Sequence, residues 1–232
     1  VATFLDVADV IRTAFGSSEQ ARRADFSPSD FGLNAGAGRC QFCLGIGEVA
    51  EQDQWATCPV CGGTRFGQEA LSVRVDGFSI GELLDVPATE LRTRAPSFLS
   101  AHLDVLAAMV DLGIGHVALG RRVDTLSGGE IQRLRIATKL AEHGTGDLLF
   151  VLDEPAAGLH PRDVELLVRA LDRILDGGRN TVVLVEHNAA IIRACDWLVE
   201  FGPGSGPHGG RIVAAGTPEE LSRTDTATGR VL

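Results

Sequence analysis

Four cysteines carry the most specific chemistry in this sequence. Cys40, Cys43, Cys58 and Cys61 form two C-x2-C pairs separated by 14 residues. Two such pairs can set four thiolates tetrahedrally around zinc, and the glycines that follow each pair permit the tight turns required. The gap is one residue under the usual range of about 15–20. Two disulfides would be the alternative, but such bridges belong to secreted, oxidised chains. Residues 1–12 have neither the basic start nor the apolar core of a secretion signal. The four cysteines therefore read as ligands of a structural zinc ion. Cys195 falls on a predicted helix with apolar neighbours and reads as a buried core residue.

Leu126-Ser127-Gly128-Gly129-Glu130 opens a helix running to about Glu142. Ser127 and Glu130 form S-x-x-E, a capping box, and that role alone would account for both. It does not account for Gly128 and Gly129, which cost helix stability in a first turn. Their benefit is close backbone approach, with N–H groups at a positive helix end left free for an anion.

A second constellation follows. Leu148-Leu149-Phe150-Val151-Leu152 is an apolar strand that runs into Asp153 and Glu154. Ligands of open α/β sheets bind beyond the carboxyl ends of strands. There Asp153 suits a magnesium ligand and Glu154 a base that orients or activates water. A solvated strand end would explain the pair equally simply. Thr181 to Glu186 is a further strand and ends in His187, which could hydrogen-bond a γ-phosphate or the attacking water at the same sheet edge. Taken singly, a histidine there is as readily structural. His102, His116, His143, His160 and His208 show no partner pattern and read as structural or surface residues.

The elements that must position these residues can be read from periodicity. The chain has 232 residues, enough for one large domain or two small ones. Residues 1–15 repeat apolar positions at helical spacing (Phe4, Leu5, Ala8, Ile11, Phe15), and a polar stretch follows from Gly16 to Gly38. Residues 40–67 are irregular, with too few large apolar groups for a core of their own. Leu71 to Val75 alternates as a strand, with Asp76-Gly77 as a hairpin-type turn. Helices are expected over Ile80–Arg94 and Leu99–Leu112. From Asp124 onwards buried strands and helices alternate, and the apolar runs at 148–152 and 181–185 suit parallel strands covered on both faces. Arg162 to Leu175 is an amphipathic helix stopped by Gly177-Gly178, completing a βαβ unit. Trp197–Phe201 and Arg211–Ala214 add two short strands.

Composition narrows the function. A formal charge of −10 argues against general affinity for DNA phosphates, so any nucleic-acid contact must come from a local patch. Of 21 basic residues only Lys139 is a lysine, and Leu140 follows it, so a G-x-x-x-x-G-K-[ST] phosphate loop is excluded. No apolar run approaches the roughly 20 residues that span a bilayer. A cytoplasmic location and no membrane partner are the expectation.

The order of the motifs is more specific than any one of them. LSGGE, then Asp153 26 residues beyond Ser127 in LLFVLDEP, then AAGLHPRD and VEHN, resembles the C-terminal half of an ABC-type ATPase. In that class these are the signature motif, Walker B, the D-loop and the histidine switch. Glu130 in place of the usual glutamine, the cysteine module upstream, and the stretches GRCQFCLGIGE and FGPGSGPHGGRIVAAGTPEEL are similar to the second nucleotide-binding domain of the UvrA family, which recognises damaged DNA. The resemblance spans nearly the whole chain and is strongest over residues 124–222.

The resemblance implies that Ser127, Gly128, Gly129 and Glu130 face the γ-phosphate of an ATP held mainly by another nucleotide-binding domain. It implies that Asp153 supports magnesium, Glu154 polarises water and His187 senses the γ-phosphate. Ala156–Asp163 would line a domain interface, and the zinc module would couple damaged DNA to the ATPase. Three departures stand out. The Walker A loop and the Q-loop glutamine, which precede the zinc module in the family, are missing, so the chain is expected to be a segment that begins after them. The stretch between the cysteine pairs is short. It also carries Glu48, Glu51 and Asp53 and no basic residue, which argues against direct phosphate contact at its tip.

The expected fold is therefore an α/β half-domain of the ABC-ATPase type. It belongs to the P-loop NTPase class but lacks the P-loop strand, and it carries a helical signature region and an inserted zinc module. Its expected parts are a helical lead-in (1–36), the zinc module (37–78), the helical signature region (79–145) and the α/β part (146–232). The implied activity is ATP hydrolysis with magnesium, coupled to recognition of damaged duplex DNA in nucleotide excision repair, with a UvrB-like subunit and a second copy as partners. The alternatives are a UvrA-like ATPase conferring resistance to DNA-bound drugs and a non-catalytic zinc-bearing interaction module. Without a phosphate-loop lysine and glycine cradle, the chain alone is expected neither to bind Mg-ATP tightly nor to hydrolyse it. Calorimetric titration checks this, and micromolar affinity would contradict it.

Overall fold

The structure is a computed structural model, and it describes residues 1–51, 54–142, 148–175, 179–204, 206 and 209–232. The chain divides into two compact units, Val1–Glu142 and His143–Leu232. Asp53, His143, Gly177-Gly178 and His208, read above from sequence, lie outside the described residues.

The first unit is mostly helical. Its elements begin with α1 (Ala8–Gly16) and α2 (Glu19–Arg23), then the hairpin β1 (Glu48–Glu51) and β2 (Gln54–Thr57). There follow α3 (Gln68–Ser72), β3 (Arg74–Val75), β4 (Phe78–Ser79), α4 (Ile80–Asp85), α5 (Ala88–Arg94), α6 (Leu103–Asp111) and α7 (Gly128–Glu142). The core is built on Phe15, Phe31, Leu83, Leu91, Leu99, Leu106 and Met109, all fully buried. Phe15 and Phe31 stack with ring centroids 5.7 Å apart.

Several boundaries differ from the sequence reading, each for a local reason. The first helix starts at Ala8 rather than at the terminus, because Asp6 has φ +57°, which a helix cannot continue through. The polar stretch from Gly16 to Gly38 holds α2 and a short 3₁₀ turn, Pro28–Phe31. Leu71 and Ser72 finish α3, so the expected strand shrinks to Arg74–Val75. The turn itself is as read: Asp76 and Gly77 have φ +49° and +86°, the pair of positive values a two-residue hairpin loop requires. The expected helix Ile80–Arg94 breaks into α4 and α5 at Val86-Pro87. Proline has no N–H and pushes the residue before it into extended backbone, here ψ 128° at Val86.

The second unit is α/β. Strand β5 (Leu149–Asp153) pairs in parallel with β6 (Thr181–Val185), and α8 (Pro161–Leu175) connects them. It continues through α9 (Ala189–Ala194), the antiparallel pair β7 (Leu198–Gly202) and β8 (Arg211–Gly216), and α10 (Pro218–Leu221). Helix α8 buries Val164, Leu167, Ala170, Leu171 and Ile174 and packs on β6 and α9. Among the described residues, α8 covers one face of this sheet. Leu149 (64% exposed), Val151 (66%), Val183 (47%) and Val185 (57%) line the other face, which corrects the expectation of cover on both sides. Cys195 is also corrected: it follows the last turn of α9, is half-buried, and its thiol donates to the Ile191 carbonyl at 3.3 Å. Among the described residues no helix is long and apolar enough to cross a membrane.

The entry to α4 yields a stability prediction. Ser79, 4% exposed, accepts from the Glu82 N–H at 3.2 Å. Glu82 accepts in return from the Ser79 N–H at 2.9 Å and from both terminal nitrogens of Arg74 at 2.9 Å. The Ser79 N–H and the Arg74 guanidinium hold the Glu82 carboxyl below its ordinary range. A carboxylate with a lowered folded pKa stabilises fully above its unfolded pKa, and that contribution fades as pH falls through the folded value. Ser79→Ala is expected to cost about 1 kcal/mol, measured by urea unfolding at neutral pH.

Candidate functional site

The four cysteines converge. All their sulfur atoms lie within 4.8 Å of one another, and all four residues are buried. The Cys40 and Cys58 sulfurs are 4.0 Å apart, and those of Cys43 and Cys61 are 3.7 Å apart. Tetrahedral zinc with Zn–S of about 2.3 Å places its sulfurs roughly 3.8 Å from each other, so the donor set fits that ion. Two knuckles make this possible. Leu44, Gly45 and Gly47 follow the first pair with φ +56°, +82° and +85°, and Gly62 and Gly63 follow the second with +58° and +89°. Gly47 is also closely approached, since a Cβ there would sit 3.0 Å from the Gly63 carbonyl oxygen, a tight contact.

Backbone hydrogen bonds lock the knuckles together. The Gly47 N–H points at the Cys43 sulfur at 3.2 Å, and the Cys58 N–H donates to the Gly47 carbonyl at 2.9 Å. Hairpin β1–β2 bridges the pairs, and the Cys40 N–H donates to the Arg65 carbonyl at 2.7 Å to close the base. Thiol acidity is split. Against its burial, the N–H groups of Cys61 and Val60 lower the Cys58 thiol, whereas burial raises that of Cys61. Bound as thiolates, four such buried sulfurs would repel one another, and a divalent metal would offset much of that charge.

At the start of α7 the capping box is present. The Glu130 N–H donates to Ser127 Oγ at 3.2 Å and the Ser127 N–H donates to Glu130 Oε2 at 2.8 Å. Sequence reading missed the third member: His116 Nε2 lies 2.8 Å from Glu130 Oε1. Burial raises the Glu130 carboxyl, but the Ser127 N–H and His116 outweigh it and hold it below its ordinary range. Ser127 and Gly128 are exposed, and a Cβ on Gly128 would meet no atom within 4 Å. Among the described residues nothing crowds that position, so the backbone there is open to solvent.

In the second unit Asp153 is the last residue of β5, opposite Val185 in the register. Glu154 turns the chain with φ +45°, a left-handed conformation uncommon for a non-glycine residue. Its N–H donates to the Val185 carbonyl at 2.8 Å, and its carbonyl accepts from the Ala157 N–H at 2.9 Å. This turn brings Glu154 Oε1 to 3.9 Å from His187 Nδ1, with both side chains exposed. The carboxylate and the imidazole thus meet at one sheet edge, as their positions at two parallel strand ends require. The loop 156–160 then leads to Pro161, which starts α8 at the position where a missing N–H costs nothing.

A parallel β5–α8–β6 unit with an acidic pair and a histidine at its carboxyl edge, and a helix opened by Ser-Gly-Gly-Glu, match the arrangement expected of an ABC-ATPase fold. The comparisons make the class narrower. No protein-family model matches the chain. UvrABC system protein A of Thermus thermophilus is 41% identical over 239 residues, covering 100% of this chain and 25% of its own length. The same protein of Aquifex aeolicus is 38% identical over 240 residues, again covering 100% of this chain and 25% of its own. The crystal structure of UvrA2 from Deinococcus radiodurans matches with a TM-score of 0.86 and 37% identity, over 99% of this chain and 29% of that one. The chain is UvrA-like from end to end, with an ABC-ATPase α/β fold, and it spans about a quarter of the length of the curated relatives it matches.

The cysteine geometry predicts one zinc ion per chain. Elemental analysis of purified protein checks it, and reduced thiols with metal near zero would contradict it. Cys58→Ser is expected to lose the metal and unfold the β1–β2 hairpin, because so small an irregular segment has little apolar surface of its own to bury.

Proposed function

We propose that this chain is the part of a UvrA-type ABC ATPase that carries the signature helix, the Walker B strand and the histidine switch, and that it works in recognition of damaged duplex DNA during nucleotide excision repair. The observation that carries this reading is the meeting of Glu154 and His187 at 3.9 Å beyond the β5–β6 edge, within a chain that is UvrA-like throughout. When bound, magnesium would neutralise phosphate charge and ATP would supply the bond to be cleaved. Asp153 is the residue to hold the metal. Glu154 accepts a hydrogen bond from the attacking water, and His187 donates to the γ-phosphate oxygens. Gly128 and Gly129 present backbone N–H groups, and Ser127 its hydroxyl, to the phosphate of a nucleotide whose main cradle lies on another domain, while Glu130 holds the Ser127 N–H.

In this reading the zinc module, residues 37–78, is a lever between DNA and the ATPase, and the helical region 79–145 carries the signature. A UvrB-like subunit and a second copy of the protein are the partners, and the cytoplasm is the place. With Glu48 and Glu51 on the hairpin and no basic residue there, the short hairpin itself does not grip phosphates. Identity to UvrABC system protein A over the whole of this chain favours excision repair over drug resistance, and the approach of Glu154 to His187 favours an ATPase over a non-catalytic module.

Glu154→Gln is the test, made in a full-length UvrA-type protein containing this segment, with its other nucleotide site silenced. Glutamine keeps the shape but not the charge that polarises water, so turnover is expected to fall about 10²–10⁴-fold with ATP binding nearly intact. Asp153→Ala is expected to weaken ATP binding as well, since a metal ligand is lost. Near-normal turnover in Glu154→Gln would mean that Glu154 only ends a strand.

A further inference from the structure

Glu186 stands between the last residue of β6 and His187. Its carboxylate joins two loops that are far apart in sequence. Oε1 accepts from the Ala156 N–H at 2.7 Å, while Oε2 accepts from the His187 N–H at 2.9 Å and the Asn188 N–H at 3.0 Å. The side chain is half-buried between those loops. A carboxylate is acceptor-only, with roughly four lone-pair sites on two oxygens, so it can serve three N–H donors at once. The far ends of this bridge matter. Ala156 lies two residues after Glu154, whose φ of +45° is costly without glycine and persists only where surrounding bonds over-determine it. Asn188 opens α9, its Oδ1 accepting from the Ala190 N–H at 3.0 Å. The bridge thus runs from the strained turn after β5 to the anchored start of α9, with His187 held between.

We propose that Glu186 is a positioning residue that ties the Glu154 turn to the His187 loop and sets the separation at which the two side chains meet the attacking water. This rests on the reading of Glu154 and His187 as ATPase residues. No neutral or shorter side chain reproduces it. In Glu186→Gln an amide NH₂ must face at least one backbone N–H, so one side of the bridge opens. In Glu186→Asp the charge remains but the reach is one methylene short.

The test compares Glu186→Gln, Glu186→Asp and Glu154→Gln in a full-length UvrA-type protein containing this segment, with the other nucleotide site silenced. Misplacing reacting groups by about 1 Å can cost roughly 10²-fold, so Glu186→Gln is expected to lower kcat about 10- to 100-fold. KM for ATP should stay within about threefold, because binding is not what the bridge controls. Glu186→Asp should fall between Gln and wild type. Amide hydrogen exchange in the same variants should speed up at Ala156, His187 and Asn188 and stay unchanged at Val182 and Leu184 in β6. If Glu154→Gln is inactive while Glu186→Gln keeps wild-type kcat, or loses only KM, the positioning role is overturned and the ATPase reading stands. If Glu154→Gln itself turns over normally, the ATPase reading fails and the positioning role falls with it.

Discussion

The parallel pairing of β5 with β6 is the constraint on which the α/β unit of this chain depends. Five consecutive residue pairs, from Leu149–Thr181 to Asp153–Val185, bring two strand ends to the same edge. The ladder then continues one step past the strand, through the Glu154 N–H on the Val185 carbonyl. That bond, with the left-handed turn it fixes, aims the Glu154 carboxylate towards His187. Any slip of one residue in the register would move Asp153 to the opposite face and undo the arrangement. The covering helix α8 makes such a slip costly, since five of its residues are buried.

The cysteine module depends on a different kind of constraint. Its strands are four residues each, and their side chains are mostly exposed. Apolar burial cannot hold so thin a segment, so the four convergent sulfurs must. Knuckle glycines with positive φ and the Gly47–Gly63 approach place those sulfurs, and the backbone bond from Cys40 to Arg65 closes the base of the module. The helical unit is the better packed of the two frames, with aromatic and aliphatic residues fully buried around Phe15, Leu83 and Met109. The cysteine module and helix α7 are thus both carried on the same unit, Val1–Glu142.

How much of this could be read from sequence follows from the range of the interactions. The cysteine site was legible because spacing along a few residues decides which sulfurs can meet. The strand-end residues Asp153, Glu154 and His187 were legible because apolar runs terminate at them. The Asp76-Gly77 turn was legible for a similar reason, its two positive φ values being local. Less was visible where partners are distant. Glu186 reaches Ala156, 30 residues away, and His116 reaches Glu130, 14 residues away; neither distance leaves a periodic trace. Continuous apolar runs suggested strands covered on both faces, yet one face of β5 and β6 is exposed, because a run of valines and leucines reports strand propensity as much as burial. The break at Pro87 divided a helix whose apolar pattern ran straight through it.

The account turns on Glu154 and His187 converging on one water and one phosphate. The most direct measurement is a crystal structure of a full-length UvrA-type protein containing this segment, with magnesium and a non-hydrolysable ATP analogue. The account predicts a water hydrogen-bonded to the Glu154 carboxylate and in line with the γ-phosphate, with His187 within hydrogen-bond reach of a γ-phosphate oxygen. A γ-phosphate whose in-line water is held by other groups, with Glu154 turned to solvent, would contradict it.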